Sequence, residues 1–245
     1  MDKPYIKKIS EVGRFVVFLV DGKYIRVNKD EEFTNFAHHF DFKFIPENEL
    51  WIDEPSEEES TYFIDNMLAQ INALNKGKSL HEAGIIGNMI EKKERKKSEI
   101  ILKELKRLNH KDDVLNLIHK KLINKYSKNV KVWLVDGRLV RDLFFLDFVD
   151  GGHDKVYNFI PEGEVWIEED VSLEERKFVI LHELHERNLM DEGWFYSLKD
   201  KRSILKSSNS KAKVYRSAHE DSSRVEHFCR IHKDKIDEYL EREIK

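Results

Sequence analysis

The sequence predicts an α+β fold made by internal duplication: a small antiparallel β-hairpin or sheet plus a helix, present twice and joined by a Lys/Glu-rich helical linker. One observation behind this is a constant spacing. Asp21-Gly22 recurs as Asp136-Gly137, Phe44-Ile-Pro-Glu47 as Phe159-Ile-Pro-Glu162, Glu49-Leu-Trp-Ile52 as Glu164-Val-Trp-Ile167, and Phe63 as Phe178, always 115 positions on. A gap-free match that keeps Trp, Pro and Asp-Gly identifies a repeat. The other observation is the patterning inside each copy. Short β-branched and aromatic runs bounded by turn residues precede a longer run with apolar residues at helical intervals. The expected organisation is a degenerate N-terminal repeat over 1–87, a helical linker over 88–128 and a C-terminal repeat over 129–245.

In chain order, Phe15-Val-Val-Phe-Leu-Val20, Asp21-Gly22 and Lys23-Tyr-Ile-Arg-Val27 read as strand, type I′ turn and strand, because Asp-Gly favours the positive φ angles of that turn. Phe42-Lys-Phe-Ile45, closed by Pro46, reads as a third strand and Leu50-Trp51-Ile52 as a fourth. Residues 57–74 read as a helix, with Phe63, Met67, Leu68, Ile71 and Leu74 on its apolar side. In the linker, Ile100, Ile101, Leu105 and Leu108, then Val114, Leu115, Ile118 and Leu122, predict two helices with a break near 109–113. The charged run 92–97 reads as a solvated helix face. Residues 132–141 repeat the hairpin around Asp136-Gly137. Residues 199–213, polar and basic, read as a mobile loop, and a last helix is expected from about His219 to Arg242.

Composition narrows the function. Charged residues make up 37% and hydrophobic ones 40%, as in globular proteins with ion-pair-rich surfaces. A net charge of −4 disfavours nucleic acid as a partner held by bulk charge. The single cysteine, Cys229, excludes an internal disulfide framework and a Cys-based zinc finger. No apolar run reaches the roughly 18 residues of a spanning helix and the first residues carry no apolar signal core, so no membrane and a cytoplasmic setting are expected. Gly-rich phosphate loops, a serine nucleophile elbow and a spaced Cys–His pair are all missing from the sequence.

The chemistry concentrates in Phe178-Val-Ile-Leu-His-Glu-Leu-His-Glu-Arg-Asn-Leu-Met190. Its apolar residues pull a helix into a core, where a charged group costs several kcal/mol unless it is paired, neutralised or bound to metal. His182 and Glu186 are one turn apart on one face. At the repeat spacing, His182 stands where the first copy has Met67, Glu183 where it has Leu68, His185 where it has Gln70 and Glu186 where it has Ile71. The ionisable cluster therefore belongs to something only the second copy does. His219 and Glu226, two turns apart on the last helix, are candidates to complete a metal set with His182 and Glu186. Such donors suit a divalent metal, with zinc, manganese and iron as the candidates. His153 is another candidate; its counterpart His38 survives in the first copy, which favours a scaffold role such as a turn hydrogen bond.

His182-Glu183-Leu184-His185-Glu186 resembles the zincin peptidase helix, His-Glu-x-x-His, in its first two positions, and departs from it at Glu186, where the second histidine would stand. The resemblance implies that His182 binds metal and Glu183 activates water. The expected function is a metal-dependent hydrolase with its site only in the C-terminal repeat, acting on a peptide or small anionic substrate, with the basic loop over 199–216 covering the site or neutralising an anionic substrate. The alternative is a non-catalytic duplicated binding or adaptor protein with a structural His/Glu network. Polar His/Glu runs form local ion pairs as readily as ligand sets.

Overall fold

The computed structural model describes residues 3–97, 111–196 and 217–244. The linker helix expected over 100–108 and the loop expected over 199–213 lie outside the described residues. The chain forms two compact units, Met1–Val114 with Arg138–Asp147, and Leu115–Gly137 with Phe148–Lys245.

In the first unit, β1 (Tyr5–Val12) and β2 (Phe15–Val20) form an antiparallel hairpin turning at Gly13, whose φ of 59° suits glycine. Adding β3 (Phe36–His38) and β4 (Glu49–Asp53) gives a mixed sheet in the order β1-β2-β4-β3, with β2 and β4 parallel. Phe15, Val17 and Leu19 alternate towards α2 (Ser60–Asn75), which answers with Phe63, Met67 and Ile71. The capping box of Ser79 and Glu82 starts α3 (Leu80–Arg95), which packs on α2.

The second unit repeats this in register. The strands β5 (His119–Leu122), β6 (Lys131–Val135), β7 (Gly151–His153) and β8 (Glu164–Glu168) take the order β5-β6-β8-β7. Val16 opposes Glu49 in the first sheet and Lys131 opposes Glu164 in the second, and both pairs are separated by the repeat spacing. The long helix over Leu173–Asp191, here α6, covers the sheet through Phe178, Leu181 and Leu184. The α+β duplication is thus a property of the fold.

Four local expectations are corrected. Asp-Gly does not make a hairpin turn. Asp21 caps α1 (Gly22–Asn28) by accepting the Tyr24 N–H at 2.8 Å, so Lys23 to Val27 coil instead of extending. The glycine is needed for close approach: a Cβ on Gly22 would meet Asp53 Oδ2 at 2.1 Å, and one on Gly137 would meet Glu168 Cδ at 2.3 Å. The second copy likewise has a helix here, α5 (Gly137–Leu143). Phe42 to Ile45 is not a strand but a turn stacking Phe42 on Phe44 over Trp51, and the edge strand is β3. The second linker helix, α4 (Lys111–Ile118), ends before Leu122 because His119–Leu122 pairs as β5. The last helix divides into α7 (Ala218–Ile231) and α8 (Ile236–Glu243) across a 3₁₀ turn at Lys233–Lys235. His232, at φ −111° and ψ 70°, leaves helical geometry, which lets Ile236, Leu240 and Ile244 bury as a new stripe.

No helix among the described residues is long and apolar enough to cross a membrane. Within the first unit, Arg95 is buried among Glu59 (2.6 Å), Glu91 (2.7 Å) and Asp142 (2.9 Å), while Arg141 also bonds Glu59.

Candidate metal centre

The apolar residues of α6 fix its rotation. Phe178, Leu181 and Leu184 are held in the core, so His182, Glu183 and Glu186 emerge on the flank that meets β7 and α7. Ser217 caps α7 by accepting the Glu220 N–H at 3.2 Å, which sets His219 in the first turn.

Three of the predicted ligands converge. His182 Nε2 lies 3.3 Å from His219 Nδ1 and 3.4 Å from Glu186 Oε2, and His219 Nδ1 lies 2.9 Å from the same oxygen. Glu226 does not join this triangle. It accepts from the other ring nitrogen, His182 Nδ1, at 2.8 Å, and is itself held by Arg230 at 2.7 and 2.9 Å. Arg230 in turn pairs with buried Glu175. Glu226, expected as a direct ligand, instead lies behind His182, on the ring nitrogen that faces away from the triangle. His185 turns away, to Glu243 at 3.0 Å and Asp221 at 3.4 Å.

Two residues reach this flank from β7. His153 is fully buried, with Nε2 at 2.9 Å from Glu186 Oε1. Its turn hydrogen bond, expected from sequence, also exists: Lys155 N–H donates to Nδ1 at 3.2 Å. Ligand atoms of His153, Glu183 and Glu186 lie within 4.8 Å of one another, as do those of His182, Glu186 and His219. The carboxyl arm of Glu183 lies over Gly151, where a Cβ would approach it to 3.0 Å. At that position the first repeat has Phe36, stacked on Phe63 at 4.5 Å beside Leu68 and Met67. The second repeat has therefore replaced a ring and three apolar side chains by a glycine, two carboxylates and a histidine. The Phe36–Gly151 difference was visible in the sequence and is the signal that could have marked this opening. Gly151→Val is expected to crowd Glu183 and Val179 at a cost of about 1–3 kcal/mol, measurable by urea denaturation; an unchanged midpoint would show that the space is slack.

The local charges are polarised. Burial opposes ionisation of Glu186, but hydrogen bonds from His153, His182 and His219 outweigh it and hold its carboxyl far below the usual range. Burial likewise opposes charge on His182, yet Glu186 and Glu226 raise its affinity for a proton well above the usual value. Burial, with the nearby Glu186, pushes Glu183 up to about 7. Glu226, despite burial, is brought down to about 2 by His182 and Arg230. A concentrated negative site thus faces two imidazoles, and His219, its side chain a third exposed, opens it to solvent.

The chain matches no protein-family model, no curated protein and no solved structure.

Proposed function

We propose that the second unit binds one divalent metal ion, zinc foremost, through His182, Glu186 and His219, and acts as a metal-dependent hydrolase. The observation that carries this reading is the triangle of donors. Its edges of 2.9, 3.3 and 3.4 Å fit the edge of about 3.3 Å in a tetrahedron with bonds of about 2.0–2.1 Å. Two histidines and one carboxylate with a fourth position left open form a catalytic donor set for zinc. Such an ion brings a bound water to a pKa of about 7. The chain supplies the rest: Glu183 takes a proton from water as its oxygen adds to a carbonyl, then returns it to the leaving amine as the C–N bond breaks. Glu183, Glu186 and Glu226 disfavour a phosphoester, so a peptide is the better substrate. A reducing, cytoplasmic setting agrees with the single free cysteine, Cys229.

One observation favours the second reading, a non-catalytic adaptor with a structural network. His153, Glu186, His219, His182, Glu226, Arg230 and Glu175 already satisfy one another as a continuous chain of hydrogen bonds and ion pairs.

Elemental analysis of the purified, unsupplemented protein separates the two. About one ion per chain is expected in the wild type, none in His182→Ala or His219→Ala, and an affinity about 10–100-fold lower in Glu226→Gln. Met67→Ala and Ile71→Ala, at the matching positions of the first repeat, are expected to lower stability and leave the metal content unchanged. A wild type that carries no ion, and takes up none from added zinc, manganese or iron, leaves the adaptor reading standing.

A further inference from the structure

Both repeats keep a fully buried histidine at the same place, His38 opposite Leu50 and His153 opposite Val165. Of the differences around them, two fall on the partners of the two ring nitrogens. In the first repeat His38 Nδ1 lies 2.9 Å from the Asp41 carboxylate, and Ile71 stands at the position of Glu186. In the second repeat Asp41 has become Val156, and His153 Nδ1 instead receives the Lys155 N–H at 3.2 Å. A ring nitrogen that accepts a hydrogen bond carries no proton, so the proton of the neutral ring sits on Nε2. Nε2 points at Glu186 Oε1 from 2.9 Å.

We infer that His153 is a positioning residue: its Nε2–H engages Oε1 of Glu186, confines that carboxylate to binding metal through Oε2 alone, and so keeps a coordination position open for water. This rests on the metal reading above. It also decides between one ion and two, since His153, Glu183 and Glu186 are close enough to suggest a second. A second ion on Nε2 would force the proton onto Nδ1, facing the Lys155 N–H at 3.2 Å, donor against donor. The Asp41-to-Val156 exchange removes the carboxylate from beside Nδ1, and the Ile71-to-Glu186 exchange gives the Nε2–H something to hold. A bidentate Glu186 would fill the position that the substrate water needs.

The test uses the full chain in two arms. In metal-free protein with ¹⁵N-labelled histidine, His153 is expected to show the Nε2–H tautomer, its signals assigned by their loss in His153→Gln. In the second arm cobalt(II) replaces zinc as a probe of coordination number. The wild type is expected to bind one cobalt per chain with the intense visible absorption of a four-coordinate ion. His153→Leu is expected to show the weaker absorption of a five-coordinate ion and about 10–100-fold lower affinity. His153→Gln, whose amide can donate from a similar place, is expected to restore the four-coordinate spectrum. An Nδ1–H tautomer, two cobalt ions per chain, or an unchanged spectrum in a folded His153→Leu overturns the inference while the metal reading stands. No cobalt bound to the wild type overturns both. Should His153→Leu fail to fold, the wild-type tautomer and stoichiometry with the His153→Gln spectrum still decide.

Discussion

Arg95→Leu is expected to destabilise the first unit by about 3–5 kcal/mol. The guanidinium is 1% exposed, pairs with Glu59, Glu91 and Asp142, and lies over the ring of Tyr62 at 4.6 Å. Leucine restores apolar volume but leaves three buried carboxylates with Arg141 as the guanidinium on Glu59. The pH dependence gives the effect a signature. Burial opposes ionisation of Glu59, but Arg141 and Arg95 outweigh it and hold its carboxyl below the usual range. Its contribution in the wild type is therefore present above the unfolded-state value and lost only as pH falls through the lower folded one. Asp142 runs the other way, raised by burial despite Arg95, so it takes up a proton more readily than in the unfolded chain. Without Arg95, Glu59 and Asp142 gain affinity for protons, and protonation removes unpaired charge. The gap between wild type and variant is expected to narrow from about pH 8 to about pH 5, followed by hydrogen exchange of α2 and α3 amides in urea. A gap below about 1 kcal/mol, or one that widens on acidification, would mean that the network is exposed enough for water to replace the guanidinium.

The sequence disclosed most where two copies could be compared. The shared spacing located β2, β4, β6, β8, α2 and α6, because Trp51 and Trp166, and Phe63 and Phe178, occupy equivalent core positions. The charge differences between copies led to His182 and Glu186, and the two-turn spacing to Glu226 on the last helix led to His219; the fold brings these three together. What escaped depended on partners distant in sequence. Asp21-Gly22 carries a good hairpin signal, yet the backbone approach to Asp53 and the free Tyr24 N–H decide for a helix cap. The strand β1 carries Lys7, Lys8 and Glu11, so its pairing with β2 is hidden under a polar face. The roles of Glu226 and His153 hinge on which ring nitrogen or carboxylate oxygen each one meets, which residue spacing along a helix does not specify.

Glu183→Gln is expected to keep one ion per chain and to lose about 10²–10⁴-fold of any hydrolytic rate. Glu183 lies outside the triangle of His182, Glu186 and His219, so exchanging an oxygen for an amide leaves the proposed ligands in place. Its carboxyl is still within 4.8 Å of a Glu186 oxygen, near enough to share one water with the site. Gly151 gives it that position, and the first repeat, with Leu68 and Phe36 there, has no carboxylate at the matching place. The amide cannot take a proton from water, while its near-identical shape preserves the packing over Gly151 and Val179. Metal content by elemental analysis and turnover of an unstructured polypeptide, measured on the same preparation, make the comparison. If both proteins carry metal and the variant cleaves as fast as the wild type, Glu183 is not the base. If the wild type carries metal and cleaves neither peptides nor phosphoesters, the ion serves the fold alone, and the second repeat is a metal-stapled counterpart of an apolar first one.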